Sequence, residues 1–400
     1  MAEIQFQVPE GFRFAAVKAG IKASGNPDLA LIECPGGAEA AAVFTRNLVV
    51  AAPVTVGRAH LNKSKGKLSA VLVNAGNANC ATGKPGLEAA EKSCEALAKA
   101  LGVKPQNVLP SSTGVIGVPL PVEKLLKGIP SLLEARGESA EHAMAFARAI
   151  MTTDSKPKTA YAEFSVKGKT ARLLGIAKGA GMIHPNMATM LAYVVTDVAA
   201  CAEHLQALIA SAAGRTFNRI SIDGDTSTND TLCLLASGAS GVALAEKKTA
   251  AHFAEKLNEV CASLAEQIVA DGEGVKHVVR LKIEGAKSEA EAEQIAKTIA
   301  HSPLVKTAWA GADPNWGRIL AAIGRSGVVL DPSKIDVFFG PIQVCKKGGA
   351  NPFDEKKAHE YLAQPAFEIT VRLNRGKAQI TFLTCDLTTE YVHINADYTT

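Results

Sequence analysis

The sequence predicts an α+β protein, with mixed sheets covered by helices and arranged in two lobes. Three observations predict it. The chain has 400 residues, too many for one small core. Apolar runs of strand period and of helical period occur in both halves, so neither element type is confined to one part. The strict strand–helix–strand rhythm with a Gly-x-Gly-x-x-Gly turn, which a doubly wound dinucleotide fold requires, is missing.

Taken in order, Val71-Leu-Val73 is a short apolar strand running into Asn74-Ala-Gly-Asn-Ala-Asn-Cys80, which reads as a tight loop. Leu87, Ala90, Cys94, Leu97 and Leu101 fall on one helical face, and Pro105 and Pro110 end that element. Ala162, Phe164 and Val166 alternate as a half-buried strand. A stretch punctuated by Gly179, Gly181 and Pro185 then gives way to Thr189-Met-Leu-Ala-Tyr-Val-Val-Thr196, an apolar run of β type. A helix over roughly 202–213 and a strand at 231–236 follow. Phe253, Leu257, Val260, Leu264 and Ile268 mark a long amphipathic helix that stops near Gly272. Val279, Leu281 and Ile283 alternate as a strand, and Ser288 with Glu291 forms a capping box that starts another helix. Phe367, Ile369, Val371 and Leu373 alternate, and the turn Asn374-Arg-Gly376 leads to a strand around Ile380 and Phe382, which predicts a hairpin.

Bulk properties exclude several function classes. Hydrophobic content of 47% and charged content of 20% are those of a globular protein in water. A net charge of +4, with only 5% aromatic residues, supports neither an electrostatic nor a stacking surface for nucleic acid. No stretch approaches the apolar length of a membrane span, and Met1-Ala-Glu-Ile-Gln-Phe-Gln7 lacks the basic and apolar regions of a secretory signal. The eight cysteines are scattered singly, with no spacing that suits zinc, so reduced thiols in the cytoplasm are expected.

Ala188-Thr189 is a small residue followed by a Thr that opens an apolar strand. By itself this is ordinary β propensity. It is also where a hydroxyl can attack the preceding carbonyl, leaving an N-terminal Thr whose α-amine serves as base. Pro110-Ser-Ser-Thr-Gly-Val-Ile-Gly117 reads as a polar turn after a proline, yet Thr113-Gly114 offers a hydroxyl and an unhindered N–H, the donors that a tetrahedral oxyanion needs. Asn74–Gly83 lacks the Lys of a phosphate loop and reads as a turn packed on the site. Asp223-Gly-Asp-Thr-Ser-Thr-Asn-Asp230 fails as a calcium loop, because Thr228 and Leu234 stand where Gly and Glu are needed; no metal is expected. His184 sits in the loop before Thr189, but no Ser/His/Asp order stands out.

Lys178-Gly-Ala-Gly-Met-Ile-His-Pro-Asn-Met-Ala-Thr-Met-Leu191 resembles the processing site of the ornithine acetyltransferase family, the glutamate N-acetyltransferases of arginine biosynthesis. Asn74–Asn79, Pro110–Gly117, Asp223–Asp230 and Asp313-Pro-Asn-Trp-Gly-Arg-Ile319 are similar to further family segments, and the resemblance runs from Gly11-Phe12 to Thr400. It implies self-cleavage between Ala188 and Thr189 into an α chain (1–188) and a β chain (189–400), assembled as α2β2. It assigns Thr189 as nucleophile and Thr113 and Gly114 as the oxyanion hole. Substrate-binding positions fall on Thr152, Lys178, Thr189, Glu273, Asn395 and Thr400, with Thr153 an alternative to Thr152. Lys178 and Glu273 suit the two charges of a zwitterionic amino acid; which meets which stays open. The implied reaction moves acetyl from N2-acetyl-L-ornithine to L-glutamate through acetyl-Thr189 by a ping-pong course. It needs no cofactor, and some members also use acetyl-CoA as donor. The implied scaffold is similar to, but topologically distinct from, N-terminal-nucleophile hydrolases. Two rival readings are a self-processing amidase or aminopeptidase, with water as acceptor, and a non-catalytic amino-acid-binding protein.

Overall fold

The computed structural model describes residues 6–184 and 190–397. Its first sheet has eight strands: β1 (Arg13–Val17), β2 (Leu29–Phe44), β3 (Lys67–Asn77), β4 (Val108–Val115), β5 (Lys158–Val166), β6 (Lys169–Lys178), β7 (Leu191–Thr196) and β8 (Thr231–Ala236). Their order is β4-β3-β2-β8-β7-β6-β5, with β1 on β2. The sheet is mixed: β3–β4 and β7–β8 are parallel and the other pairs antiparallel. Helices α1 (Ala52–Ser64), α2 (Gly83–Leu101), α3 (Val122–Glu134), α4 (Ala140–Ala149), α5 (Ala202–Arg215) and α6 (Lys247–Ala270) cover it. On β7, Ala192 and Val194 pack with Leu205 of α5 and Leu264 of α6, while Tyr193 and Val195 share a core with Phe14 and Phe146 of α4. Both faces are covered, which is why β7 reads as a continuous apolar run and is buried throughout.

The second sheet has order β12-β11-β10-β13-β9-β14. Its strands are β9 (Val278–Ala286), β10 (Asp336–Phe339), β11 (Ile342–Lys346), β12 (Gly349–Ala350), β13 (Ala366–Arg372) and β14 (Ala378–Cys385). Helices α7 (Glu289–Ala300), α8 (Pro303–Ala310), α9 (Trp316–Gly324) and α10 (Glu355–Leu362) accompany it, and α11 (Thr389–Asp397) follows β14. Val279, Leu281 and Ile283 face the core formed with Ile295, Trp309 and Ile319, while Lys282 and Glu284 on the other face pair with Glu368 and Arg372. One covered face produces the strict alternation seen in the sequence. The two lobes of the α+β expectation are therefore present as two sheets. The position after residue 188 is not their boundary, since β7 and β8 belong to the first sheet. No helix among the described residues is long and apolar enough to cross a membrane.

Four local expectations change. Asn74–Asn77 continues β3 instead of looping, because Asn74 Nδ2 donates to the Asn77 carbonyl (2.8 Å) and its Oδ1 accepts from Ser112 (2.6 Å). Pro110 and Thr113-Gly114 lie in β4, not in a turn; β4 is an edge strand, where a proline's missing N–H is tolerated. The predicted hairpin does not pair with itself. β9 lies between β13 and β14, and the chain crosses its end, with Arg375 N bonded to Gly285 O (2.9 Å). A Cβ on Gly376 would lie 2.1 Å from the Ala286 carbonyl, so that crossing requires glycine. The capping box is shifted on one side: Ser288 Oγ accepts from Glu291 N (3.2 Å), but Glu291 accepts from Lys287 N (3.4 Å) rather than from the cap residue. In the Asp313–Ile319 segment, Asn315 caps α9 and Trp316 is half-buried.

Candidate active site

Strand pairing brings distant segments to one place. β6 ends at Lys178, which pairs with Leu191 at the start of β7. The end of β4 lies against the end of β3, where Gly114 (φ +130°) opposes Gly76. A Cβ on Gly114 would sit 2.3 Å from the Gly76 carbonyl carbon, so only glycine permits this approach. The loop before β8, the turn after α6 and the helix α11 close the remaining sides. The result is a cavity of about 240 Å³.

Of the residues singled out in the sequence, Thr113, Gly114, Thr152, Lys178, Glu273 and Asn395 all line this cavity, and so does Thr153. Ala188, Thr189 and Thr400 lie outside the described residues. Met190, bonded to Thr189, lines the cavity. The Asp223–Asp230 run forms part of the wall, and Ala78 of the Asn74–Gly83 segment reaches it, held by Asn229 Nδ2 on the Ala78 carbonyl (2.6 Å).

Lys178 organises one side. Its Nζ donates to Thr152 Oγ1 (2.7 Å) and to Thr113 Oγ1 (3.2 Å). An ammonium has three hydrogens, and among the described residues two of them are taken by hydroxyls. Because Thr113 Oγ1 accepts from a cation, its own hydrogen is polarised, and among the described residues it has no acceptor, so it can donate into the cavity. Behind Lys178 lies Asp154, whose side chain is fully buried. It accepts from Lys158 Nζ (2.6 Å), Gly179 N (2.6 Å) and Thr152 N (3.0 Å), and lies 4.0 Å from Lys178 Nζ. Burial works to raise the Asp154 carboxyl, but the Lys178 and Lys158 charges overcome it and hold it at about 2. Burial lowers the Lys178 ammonium, opposed chiefly by Asp154.

Glu273 organises the opposite side. Asn395 Nδ2 donates to its Oε2 (2.8 Å), and Gly181 leaves room for it, since a Cβ there would lie 2.5 Å from the carboxylate. The tail helix is seated by Thr388 Oγ1 on the Gly274 carbonyl (2.6 Å). Gly274 (φ +68°) allows the contact, because a Cβ would lie 2.5 Å from Tyr391 N. Next to the cavity, His301 Nε2 lies 3.1 Å from His184 Nδ1 and 3.0 Å from Ser221 Oγ, and neither ring lines the site. Burial holds His184 down at about 3 and His301 at about 4.

Sequence reasoning missed Asp154, Tyr391 and the individual roles of Asp223 and Asp230. The acid-rich Asp223–Asp230 run was a usable signal for two of them; no spacing marks Asp154 or Tyr391.

The arrangement combines an oriented hydroxyl, a cation and a carboxylate around a small, half-open cavity, which suits acyl transfer with an amino-acid ligand. Residues 13–400 match the ArgJ family. The chain is 46% identical to the arginine biosynthesis bifunctional protein ArgJ of Methylococcus capsulatus over 404 residues, covering 100% of this chain and 98% of that protein. The protein of the same name from Nitratidesulfovibrio vulgaris is 46% identical over 391 residues, 98% of each chain. A solved structure of ArgJ from Bacillus halodurans is 41% identical with a TM-score of 0.50, covering 52% of this chain and 98% of that one. The chain belongs to the ArgJ family, the ornithine acetyltransferase family that its motifs resemble.

Proposed function

We propose that this protein transfers an acetyl group from N2-acetyl-L-ornithine to L-glutamate through an acetyl ester on Thr189, after cutting itself between Ala188 and Thr189. The observation that carries the reading is the convergence of Thr113, Gly114, Lys178 and Glu273 on one cavity that Met190, the chain neighbour of Thr189, also lines. The names of the relatives, arginine biosynthesis bifunctional protein ArgJ, support it. The Bacillus halodurans chain is covered almost completely by about half of this one, as a separate mature chain would be.

In the first half-reaction the Thr189 hydroxyl attacks the acetyl carbonyl and its proton passes to the Thr189 α-amine. The oxyanion is stabilised by donors from Thr113 and Gly114. The C–N bond breaks, the proton goes to the leaving nitrogen, and ornithine departs. In the second half the glutamate α-amine attacks the ester, the C–O bond breaks, and the proton returns to the Thr189 oxygen as N-acetylglutamate leaves. Thr152, Lys178, Glu273, Asn395 and Thr400 hold the amino-acid ends. Since the relatives are called bifunctional, acetyl-CoA is proposed as a second donor to the same hydroxyl. The assembly proposed for the processed chains is α2β2.

The test is ornithine release from N-acetylornithine with and without glutamate. The reading predicts one ornithine per site without glutamate and sustained turnover with it. Equal steady rates in both would make water the acceptor and the protein an amidase. Unchanged activity in Thr189→Ala would remove the nucleophile.

A further inference from the structure

The proposed reaction, on which this inference rests, sets the cavity a charge problem. Ornithine brings a side-chain ammonium and glutamate a side-chain carboxylate, and each must place its α-nitrogen at the same hydroxyl. A wall of fixed charge that attracts one repels the other.

Three carboxyls of the loop before β8 line the cavity: Asp223, Asp225 and Asp230. Asp223 is already engaged. Its Oδ1 accepts from Ile183 N (2.9 Å) and Asp225 N (3.2 Å), and its Oδ2 from Met182 N (2.6 Å) and the Tyr391 hydroxyl (3.4 Å). Asp225 is exposed to solvent. Asp230 differs from both. It is 1% exposed, and its buried Oδ2 has no hydrogen-bond partner among the described residues. A buried carboxyl oxygen without a partner is costly unless a ligand completes it.

Among the described residues, the Ser227 hydroxyl of its own loop and the Thr45 hydroxyl after β2 hydrogen-bond the Asp230 carboxyl and, with the Lys178 charge at the end of β6, favour its ionised form; Glu273 lines the same cavity. Burial outweighs these and raises its carboxyl well above the usual carboxylate range. A neutral carboxyl donates a hydrogen bond, whereas an ionised one only accepts.

We infer that Asp230 is the specificity group that serves both substrates, as a carboxylate toward the ornithine ammonium and as a carboxylic acid toward the glutamate side-chain carboxylate. Its proton leaves to solvent when ornithine binds and returns from solvent when glutamate takes the site.

The test is proton counting by titration calorimetry at pH 7, in two buffers of different ionisation enthalpy. Ornithine is compared with norvaline, which has the same carbon chain without the ammonium, and with glutamate. On the wild-type protein, ornithine should release about one proton more than norvaline. In Asp230→Asn that difference should vanish. Ornithine should then bind about tenfold or more weakly, while glutamate stays within about twofold. Equal proton counts for ornithine and norvaline on the wild type would overturn the inference, as would an Asn variant that keeps the difference. Should the Asn variant fail to fold, the wild-type counts decide alone. A wild type that binds neither ornithine nor glutamate would instead remove the proposed reaction, and this inference with it.

Discussion

Asp154→Asn removes the charge that lies between two buried lysines. Asp154 and Lys158 are 0% and 1% exposed at 2.6 Å, and Lys178 Nζ is 4.0 Å away on the other side. Asparagine keeps the size and can still accept from Gly179 N, but it balances neither ammonium: Lys158 is left with Asp271 alone, at 2.6 Å, and Lys178 loses its nearest carboxylate. The carboxyl is held at about 2, against an ordinary value of roughly 3.9. That displacement corresponds to about 2.5 kcal/mol of stability, and breaking a buried pair generally costs about 3–5 kcal/mol. Since Lys158 retains Asp271, we expect a loss near the lower figure, about 2.5 kcal/mol at pH 7. Because the folded value is depressed, the contribution is complete above roughly pH 4 and fades as the pH falls toward 2. The assay is urea unfolding of wild type and variant at pH 7 and in acid. A variant within about 0.5 kcal/mol of wild type at pH 7 would mean that Asp154 carries no such charge balance. So would a gap that fails to narrow in acid. The same variant strips Lys178 of its nearest carboxylate, so its ammonium, already lowered by burial, falls further. The alkaline limb of the pH–rate profile should move to lower pH.

Three other outcomes are expected. Gly114→Ala puts a Cβ 2.3 Å from the Gly76 carbonyl carbon and should lower kcat by about tenfold or more, measured by ornithine release on a protein that still folds. Gly274→Ala pushes against Tyr391 N at 2.5 Å and should displace the tail helix, raising KM by about tenfold while leaving the chain cut unaffected. His184 and His301 are held neutral, at about 3 and about 4, so the unfolded chain binds more protons below roughly pH 6.5. Stability should fall on acidification through that range toward pH 4, and His301→Gln should flatten the slope; an unchanged slope would contradict the half-buried pair.

How much of this was legible depends on the range of the interaction. The burial of β7 on both faces was written in its unbroken apolar run, and the single covered face of β9 in its alternation. The insertion of β9 between β13 and β14 was not, because a local turn signal at Asn374 says nothing of a strand that began nearly a hundred residues earlier. The strand character of Thr113-Gly114 was hidden by Pro110, a turn former that an edge strand also accepts. The site residues named in advance came from motif resemblance, not from spacing: Thr113, Lys178, Glu273 and Asn395 meet only because β3–β4, β6–β7 and the two sheets do. Asp154 is a buried counter-charge, and only three-dimensional packing shows which lysines it balances.

The most direct test of the central claim is the denaturing intact mass of the purified protein before and after N-acetylornithine is added without glutamate. Two chains broken between Ala188 and Thr189 are expected, the second gaining one acetyl group that glutamate then removes. A single unbroken chain, or an acetyl group carried by any residue other than Thr189, would contradict it.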